Sequence, residues 1–332
     1  MNGRAWPWSG RASAAVPSAD AAGEIVFDEA FLARLRRLTV LPGQVRAEGI
    51  AGEHRSRRRG VSPEFADFKP YSPGDDFRRI DWNTYARLDG LFVRLSEVTS
   101  ELEIHVLVDA SQSMQWRAGP ERPAKFTQAR RLAGALGYVA LWHFDRLTVT
   151  PYAEGLGRSF GPAQGRAQAL PMLKSLEAMT PLGGAALPET IGRYVHARRR
   201  PGVLAVISDL LSGEPEDLRP HLRDARARGW EVTLAQVLDE AELFPDAAAA
   251  FLTGDEPGAE ALIELVDSES GGTVQLARDE GLLREYGERI AAWQEELTGV
   301  CAEEGATHLR VLCGLDLEEA VYAVLRERGV VA

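Results

Sequence analysis

The stretch LEIHVLVDASQSM, residues 102–114, determines the fold class that this sequence predicts. Its first part, LEIHVLVD, is almost continuously apolar, which is typical of a strand buried on both faces of a sheet. Residues 122–144 follow with apolar side chains at helical spacing, and residues 147–152 form another apolar run of strand length. A strand, a helix and a second strand in this order predict a parallel sheet covered by helices.

The same alternation continues to the end of the chain. Further strands are predicted at 203–208, 230–238 and 308–312, and further helices at 166–179, 188–199, 215–228, 289–304 and 317–328. Two apolar runs, 262–267 and 273–276, flank the turn-rich sequence SESGG and predict a hairpin excursion near 255–277. We therefore predict the α/β class, with a doubly wound, mainly parallel sheet of Rossmann type over residues 100–332.

The N-terminal third differs in composition from this α/β part. Residues 1–24 lack a continuous apolar stretch and predict a disordered lead-in. Residues 25–99 begin with a short helix at 28–41 and continue as a segment rich in arginine and aspartate. That segment also carries large rings at Phe65, Phe68, Tyr71, Phe77, Trp82 and Tyr85. A disordered linker would not carry so many rings, so we predict an ordered, largely irregular segment packed on the core.

The overall composition excludes several functional classes. The chain has 332 residues and a net charge of −11, which opposes general binding to nucleic acid phosphates. Its two cysteines, Cys301 and Cys313, are too few for a disulfide framework and favour a reducing compartment. No apolar run approaches the roughly 20 residues that cross a bilayer, so we expect a cytoplasmic protein without a transmembrane segment. No P-loop or HExxH motif occurs.

The strongest local signal for a site is the Asp-x-Ser-x-Ser sequence at the end of the first strand. Asp109, Ser111 and Ser113 can converge if the loop folds back, and Asp209 follows the strand at 203–208. Parallel strands place such residues at the carboxyl edge, where α/β sheets bind ligands. Two carboxylates there favour a cation between them, and hard oxygens suit Mg²⁺. The alternative is a helix N-cap with satisfied hydroxyls.

The combination of these features resembles a known domain family. A strand followed by Asp-x-Ser-x-Ser, a downstream Gly-Gly loop and a strand ending in Asp is similar to a von Willebrand factor A-type domain with its metal-ion-dependent adhesion site. Residues 56–94, SRRRGVSPEFADFKPYSPGDDFRRIDWNTYARLDGLFVR, resemble the signature of the bacterial domain-of-unknown-function-58 family (DUF58). Members of that family join such a segment to a von Willebrand A-like domain.

The resemblance implies metal ligands at four residues but fails at a fifth. Asp109, Ser111 and Ser113 match the first motif of the adhesion site, and Asp209 matches the third. The second motif requires a threonine after two glycines, whereas this chain has Ala185 at that position. A methyl group cannot coordinate an ion. Two alternatives follow: the site binds Mg²⁺ in a weakened or water-assisted way, or it is vestigial.

The resemblance also implies a function. It predicts a non-enzymatic adaptor that couples a client protein to a MoxR-type AAA+ ATPase, because such proteins are commonly encoded beside these ATPases. Arg57, Arg58 and Arg59 are then candidates for contact with an acidic partner surface. The remaining alternatives are a metal-assisted hydrolase that uses Asp109 and Asp209, and a scaffold with a vestigial metal site.

Overall fold

The structure is a computed structural model that describes residues 10–12, 27–38, 65–71, 84–85, 90–96, 102–117, 122–243, 262–267, 273–277, 280–313 and 321. The chain divides into two compact units. One combines Met1–Val45 with Leu102–Ala332, and the other is Arg46–Glu101. The domain bounds that the sequence predicts, 1–24, 25–99 and 100–332, stay predictions.

The described strands and helices of both units are numbered in chain order. The strands are β1 (Gly10–Ala12), β2 (Phe65–Pro70), β3 (Phe92–Ser96), β4 (Glu103–Asp109), β5 (Arg146–Tyr152), β6 (Phe160–Ala163), β7 (Val203–Ser208), β8 (Glu231–Leu238), β9 (Leu262–Asp267), β10 (Thr273–Ala277) and β11 (Thr307–Leu312). The helices are α1 (Glu29–Leu35), α2 (Lys125–Trp142), α3 (Ala169–Glu177), α4 (Leu187–Ala197), α5 (Pro215–Ala227), α6 (Glu240–Leu243) and α7 (Glu280–Glu304). No described helix combines the length and apolar character that a membrane span requires.

The central sheet confirms the predicted fold class. Its strand order is β11-β8-β7-β4-β5-β6, and every neighbouring pair is parallel except β5 with β6. The order reverses direction on either side of β4, as in a doubly wound sheet. The edge strand β6 was not predicted. It is short and contains Pro162, so its sequence carries no strand pattern.

Helices cover both faces of this sheet, and the alternation within β4 shows how. Val106 and Val108 belong to the apolar core shared with α1, α2 and α3, whereas Leu107 belongs to the core shared with α4, α5 and α7. Successive strand side chains point to opposite faces, so a strand covered on both sides must be apolar throughout. The continuous apolar run in LEIHVLVD is explained by this double burial.

Several predicted elements differ from the observed ones at their ends. The predicted helix at 166–179 begins with a 3₁₀ turn at Arg166–Gln168 before α3, and the helix predicted at 289–304 starts earlier, at Glu280. Helix α1 ends at Leu35, before the predicted residue 41, and Asp28 caps it by accepting a hydrogen bond from the Phe31 amide at 2.6 Å. Apart from residue 321, the helix predicted at 317–328 lies outside the described residues.

The predicted hairpin is present and carries an additional strand. β9 pairs antiparallel with β10, and β1 pairs antiparallel with the other side of β9. At these three N-terminal residues the structure differs from the predicted disordered lead-in. A three-residue strand is too short to give a periodic sequence signal, so the sequence had no feature that identified it.

The unit Arg46–Glu101 contains regular structure where a largely irregular segment was predicted. β2 pairs antiparallel with β3, with an irregularity in register between Phe65 and Asp67. The Tyr71 amide donates to the Leu91 carbonyl at 2.7 Å, next to the end of the ladder. Arg57, Arg58, Arg59 and Trp82 lie outside the described residues.

One buried histidine gives the fold a distinct dependence on pH. His105 of β4 is 4% exposed, and its Nδ1 lies 2.8 Å from the Tyr194 hydroxyl. Its Nε2 has no hydrogen-bond partner among the described residues, and its ring lies against Trp230 with centroids 4.9 Å apart. Burial first, and the positive charge of Arg198 second, lower the pKa of His105 to about 4. The neutral imidazole is therefore the form that this environment favours.

The His105→Phe variant is expected to lose less stability in acid than the wild type. As pH falls from about 6.5 to about 4, the unfolded chain takes up a proton at this position that the folded chain does not, so unfolding becomes easier. At pH 4.5 this proton uptake lowers the free energy of unfolding by about 2 kcal/mol. The His105→Phe variant has no ring nitrogens and therefore lacks this loss. Urea unfolding at pH 7 and pH 4.5 measures it, with the exposed His196→Gln as control. The same acid sensitivity in all three proteins would contradict the prediction.

Candidate functional site

Three loops meet at the carboxyl edge of the central sheet. β4 ends at Asp109, and Asp209 follows β7, the neighbour of β4. The third loop, residues 181–186, is called the Gly loop below. Its Leu182 amide donates to the Ala110 carbonyl at 2.7 Å, and its Gly183 carbonyl accepts from the Gln112 amide at 2.8 Å. The structure therefore brings together the segments that the sequence singled out.

Asp109 lies at the centre of this arrangement and is fully buried. Its Oδ1 accepts a hydrogen bond from the Ser111 amide at 2.9 Å. Its Oδ2 accepts hydrogen bonds from the Ser208 hydroxyl at 2.5 Å and the Tyr152 hydroxyl at 3.2 Å. Burial, followed by the nearby charge of Asp209, raises the pKa of Asp109 to about 6. Both carboxyl oxygens thus have protein donors.

The two predicted serines connect Asp109 to Asp209. Ser111 Oγ and Ser113 Oγ lie 2.9 Å apart, and the Ser113 hydroxyl also hydrogen-bonds the Asp209 carboxylate. Ser111 does occupy the N-cap position of a 3₁₀ turn at Gln112–Gln115, but its side chain makes no capping hydrogen bond. The hydroxyls therefore belong to the side-chain network, and the simple N-cap alternative does not describe them.

The Asp209 carboxylate is paired with a buried lysine. Lys125, the first residue of α2, is 2% exposed, and its Nζ lies 2.8 Å from Asp209 Oδ2 and 2.7 Å from Glu242 Oε1. The Leu211 amide donates to Asp209 Oδ1 at 3.2 Å. Burial alone would raise the pKa of Asp209, but the ammonium of Lys125 outweighs it and the pKa is lowered. We call Lys125, Asp209 and Glu242 the lysine triad.

A second ion pair continues the network along the same edge. Asp239 follows β8, so β4, β7 and β8, three neighbouring strands, are each followed by or end in an aspartate. Arg122 Nη1 lies 3.1 Å from Asp239 Oδ1, and Arg122 Nη2 lies 3.3 Å from Glu240 Oε2. The Asp239 amide donates to Glu242 Oε2 at 2.9 Å. Carboxylates of this edge are thus neutralised by cationic side chains of the chain itself.

The sequence missed several members of this network. Five members lie in or beside the ends of strands and helices and belong to no sequence motif: Ser208, Tyr152, Glu242, Asp239 and Arg122. Lys125 had a usable signal: it lies four residues before Ala129, on the stripe of α2 that faces the core. A lysine on an apolar stripe needs a buried counter-charge, and this position therefore indicated an internal ion pair.

The donor set does not fit a divalent cation as it is arranged. Asp109, Ser111, Ser113 and Asp209 do come together, but their oxygens are hydrogen-bonded to each other or to other protein donors. The side chain at position 185 offers no oxygen. Among the described residues, no group of three or more His, Cys, Asp or Glu side chains has the geometry of a metal site. Magnesium binding stays a prediction, and the experiment below decides it.

Two exposed leucines lie on loops that adjoin the buried network. Leu182 of the Gly loop is 73% exposed, and Leu156, in the loop after β5, is 40% exposed. The two loops are joined by a hydrogen bond from the Ala186 amide to the Ala153 carbonyl at 3.2 Å. Gly183 adopts φ +73°, where a side chain would be strained and would contact Glu154. These hydrogen bonds therefore hold the Gly loop, and with it the exposed Leu182, in a fixed position.

Comparison with known proteins places the chain among proteins whose function has not been described. Residues 67–296 match the profile of a family described as a protein of unknown function, DUF58. Uncharacterized proteins of Mycobacterium bovis and Mycobacterium tuberculosis are 30% identical over 314 residues, which cover 92% of this chain and 93% of each relative. The crystal structure of an uncharacterized membrane spanning protein from Vibrio fischeri matches with 15% identity and a TM-score of 0.24, covering 68% of this chain and 96% of that one.

Proposed function

Because this chain belongs to the DUF58 family, which itself has no known function, we propose a function from the site: a non-enzymatic adaptor that binds proteins at the carboxyl edge of its sheet. The observation that carries the proposal is the exposed Leu182 on a loop fixed to the buried network. An apolar side chain on a rigid support loses little conformational freedom when a partner covers it. Leu156, on the adjoining loop, is a second exposed leucine.

The buried network supports binding rather than chemistry. Metal-assisted hydrolysis by Asp109 and Asp209 needs a carboxylate that can accept a proton from water or hold an ion. Both carboxylates are buried and already accept hydrogen bonds from protein groups. No observation on the described residues favours the hydrolase alternative, whereas the network is well suited to fixing the three loops in position.

The partners are proposed from the family resemblance. The adaptor couples a client protein to a MoxR-type AAA+ ATPase in the assembly or maturation of a complex, and it does so in the cytoplasm, where ATP is available. Leu182 and its surroundings supply an apolar contact. Arg57, Arg58 and Arg59, which lie outside the described residues, supply a cationic contact for an acidic surface.

The Leu182→Glu variant is expected to bind the ATPase at least about tenfold more weakly than the wild type, because the complex would desolvate a carboxylate where the wild type buries a leucine against its partner. Calorimetric titration with the purified MoxR-type ATPase of the same genome measures the effect. The matched control is Leu170→Glu, which changes a 61% exposed leucine on α3, outside the Gly loop. If both variants bind the ATPase with equal affinity, whether weaker than that of the wild type or the same, the Gly loop is not part of the interface.

Reversal of Arg57, Arg58 and Arg59 to glutamate is expected to weaken the same complex about tenfold or more at low salt and much less at high salt. Charges at the rim of an interface act mainly on the association rate and are screened by ions. Surface plasmon resonance at two salt concentrations separates this effect from a loss of folding, which circular dichroism would detect. An unchanged association rate at low salt would refute the proposed role of the arginines.

A further inference from the structure

We infer that the ammonium group of Lys125 is the permanent cation of this site and holds the place that a divalent metal ion would otherwise take beside Asp209. The direct evidence is the lysine triad, in which Nζ lies 2.8 Å from Asp209 and 2.7 Å from Glu242. Lys125 and Asp209 are almost fully buried. A charged lysine is rarely buried so completely unless carboxylates neutralise it.

The position of Lys125 is fixed by the backbone as well as by its charge. It opens α2, and its amide donates to the Trp116 carbonyl at 3.1 Å, which connects the helix start to the loop that carries Ser111 and Ser113. Its neighbour Phe126 is buried in the core. Because the helix start cannot shift without disturbing this packing, the ammonium is held at the Asp209 carboxylate.

A second feature of the chain points in the same direction. Position 185 is an alanine, so the Gly loop presents no hydroxyl to the network at that residue. A divalent ion bound to Asp209 would face the Lys125 ammonium at short range in a buried environment, where charges of the same sign repel strongly. Lys125 therefore supplies a cation, and Ala185 lacks the side-chain oxygen that could bind a metal ion.

The consequence is that the site has no open coordination position. A partner carboxylate cannot complete a metal shell here, and the buried ammonium is not accessible to it. Recognition must use the surface around the site. The inference concerns the cation alone and holds whether or not the edge binds the ATPase, because its test measures ion binding by the isolated chain.

Thermal unfolding of the full chain in excess MgCl₂ and in EDTA tests the inference in three proteins. The wild type and Ala185→Thr are expected to melt at the same temperature in both solutions. Lys125→Met combined with Ala185→Thr should gain a Mg²⁺-dependent rise of about 2 °C or more, because an ion that binds only the folded state stabilises it. Lys125→Gln with Ala185→Thr replaces that variant if the methionine chain does not fold.

The outcomes separate the alternatives. A saturable rise in the melting temperature of the wild type with Mg²⁺ would overturn the inference and support the weakened metal site. A rise in Ala185→Thr alone would also overturn it, because Lys125 would then not exclude the ion. No response in a folded variant that lacks Lys125 and carries Thr at position 185 would show that the lysine does not hold the place of an ion.

Discussion

Replacement of Lys125 by methionine is expected to lower the free energy of unfolding by about 3 to 5 kcal/mol at neutral pH, because it leaves the buried Asp209 and the partly buried Glu242 without their shared cation. Asp209 and Glu242 both lie within hydrogen-bond distance of Nζ. Methionine keeps most of the volume of the lysine stem, so the loss reports charge rather than a cavity. Urea unfolding measures it.

Two controls isolate the buried charge. Lys174→Met changes an exposed lysine of α3 and is expected to alter the free energy of unfolding by less than about 0.5 kcal/mol. Adding Asp209→Asn and Glu242→Gln to Lys125→Met should restore more than half of the loss, since a neutral triad needs no counter-ion. A Lys125→Met protein as stable as the wild type would show that the triad carries little charge in the folded state.

Gly202→Ala is expected to destabilise the protein by about 3 kcal/mol or more, because the added methyl group has no space. A Cβ at position 202 would lie 2.0 Å from the carbonyl oxygen of Glu103 and 2.8 Å from its carbonyl carbon. Gly202 directly precedes β7, and its own carbonyl accepts the Glu231 amide at 3.0 Å. The backbone therefore cannot move away without weakening the start of two strand pairings.

The matched control is Gly299→Ala in α7. A Cβ there meets no atom within 4 Å, and alanine favours a helix by about 1 kcal/mol over glycine, so this variant should be slightly more stable than the wild type. Melting curves and urea unfolding of both variants give the comparison. Equal stability of Gly202→Ala and the wild type would contradict the close approach of Gly202 to Glu103.

The fold could be predicted from the sequence where the pattern of apolar residues was strong. The buried strand β7 was predicted with its observed bounds, because its first five side chains are all apolar and a helix follows it in the chain. β6 and β1 were missed because each is too short to show a period. β2 and β3 were missed because more than twenty residues separate them, and an intervening sequence of this length gives no hairpin pattern that would indicate their pairing.

Only part of the site could be predicted from the sequence. Asp109, Ser111, Ser113 and Asp209 could be placed together because they follow neighbouring parallel strands, and the structure brings them into one network. The place of Lys125 on the apolar stripe of α2 indicates an internal ion pair but does not identify the partner, because Glu242 is 117 residues away in the chain. Which cation neutralises a carboxylate depends on tertiary packing, and spacing along the sequence does not reveal it.

Hydrogen exchange of this chain, alone and in complex with the MoxR-type ATPase, tests the central claim that the carboxyl edge of the sheet is a protein-binding surface. The account predicts slower exchange in the complex at the Gly loop and at residues 153–157, which carry Leu182 and Leu156. Amides of α5 and α7, on a helical face of the sheet, should exchange at the same rate in both samples. Protection confined to α5 and α7, with the Gly loop unchanged, would contradict the account.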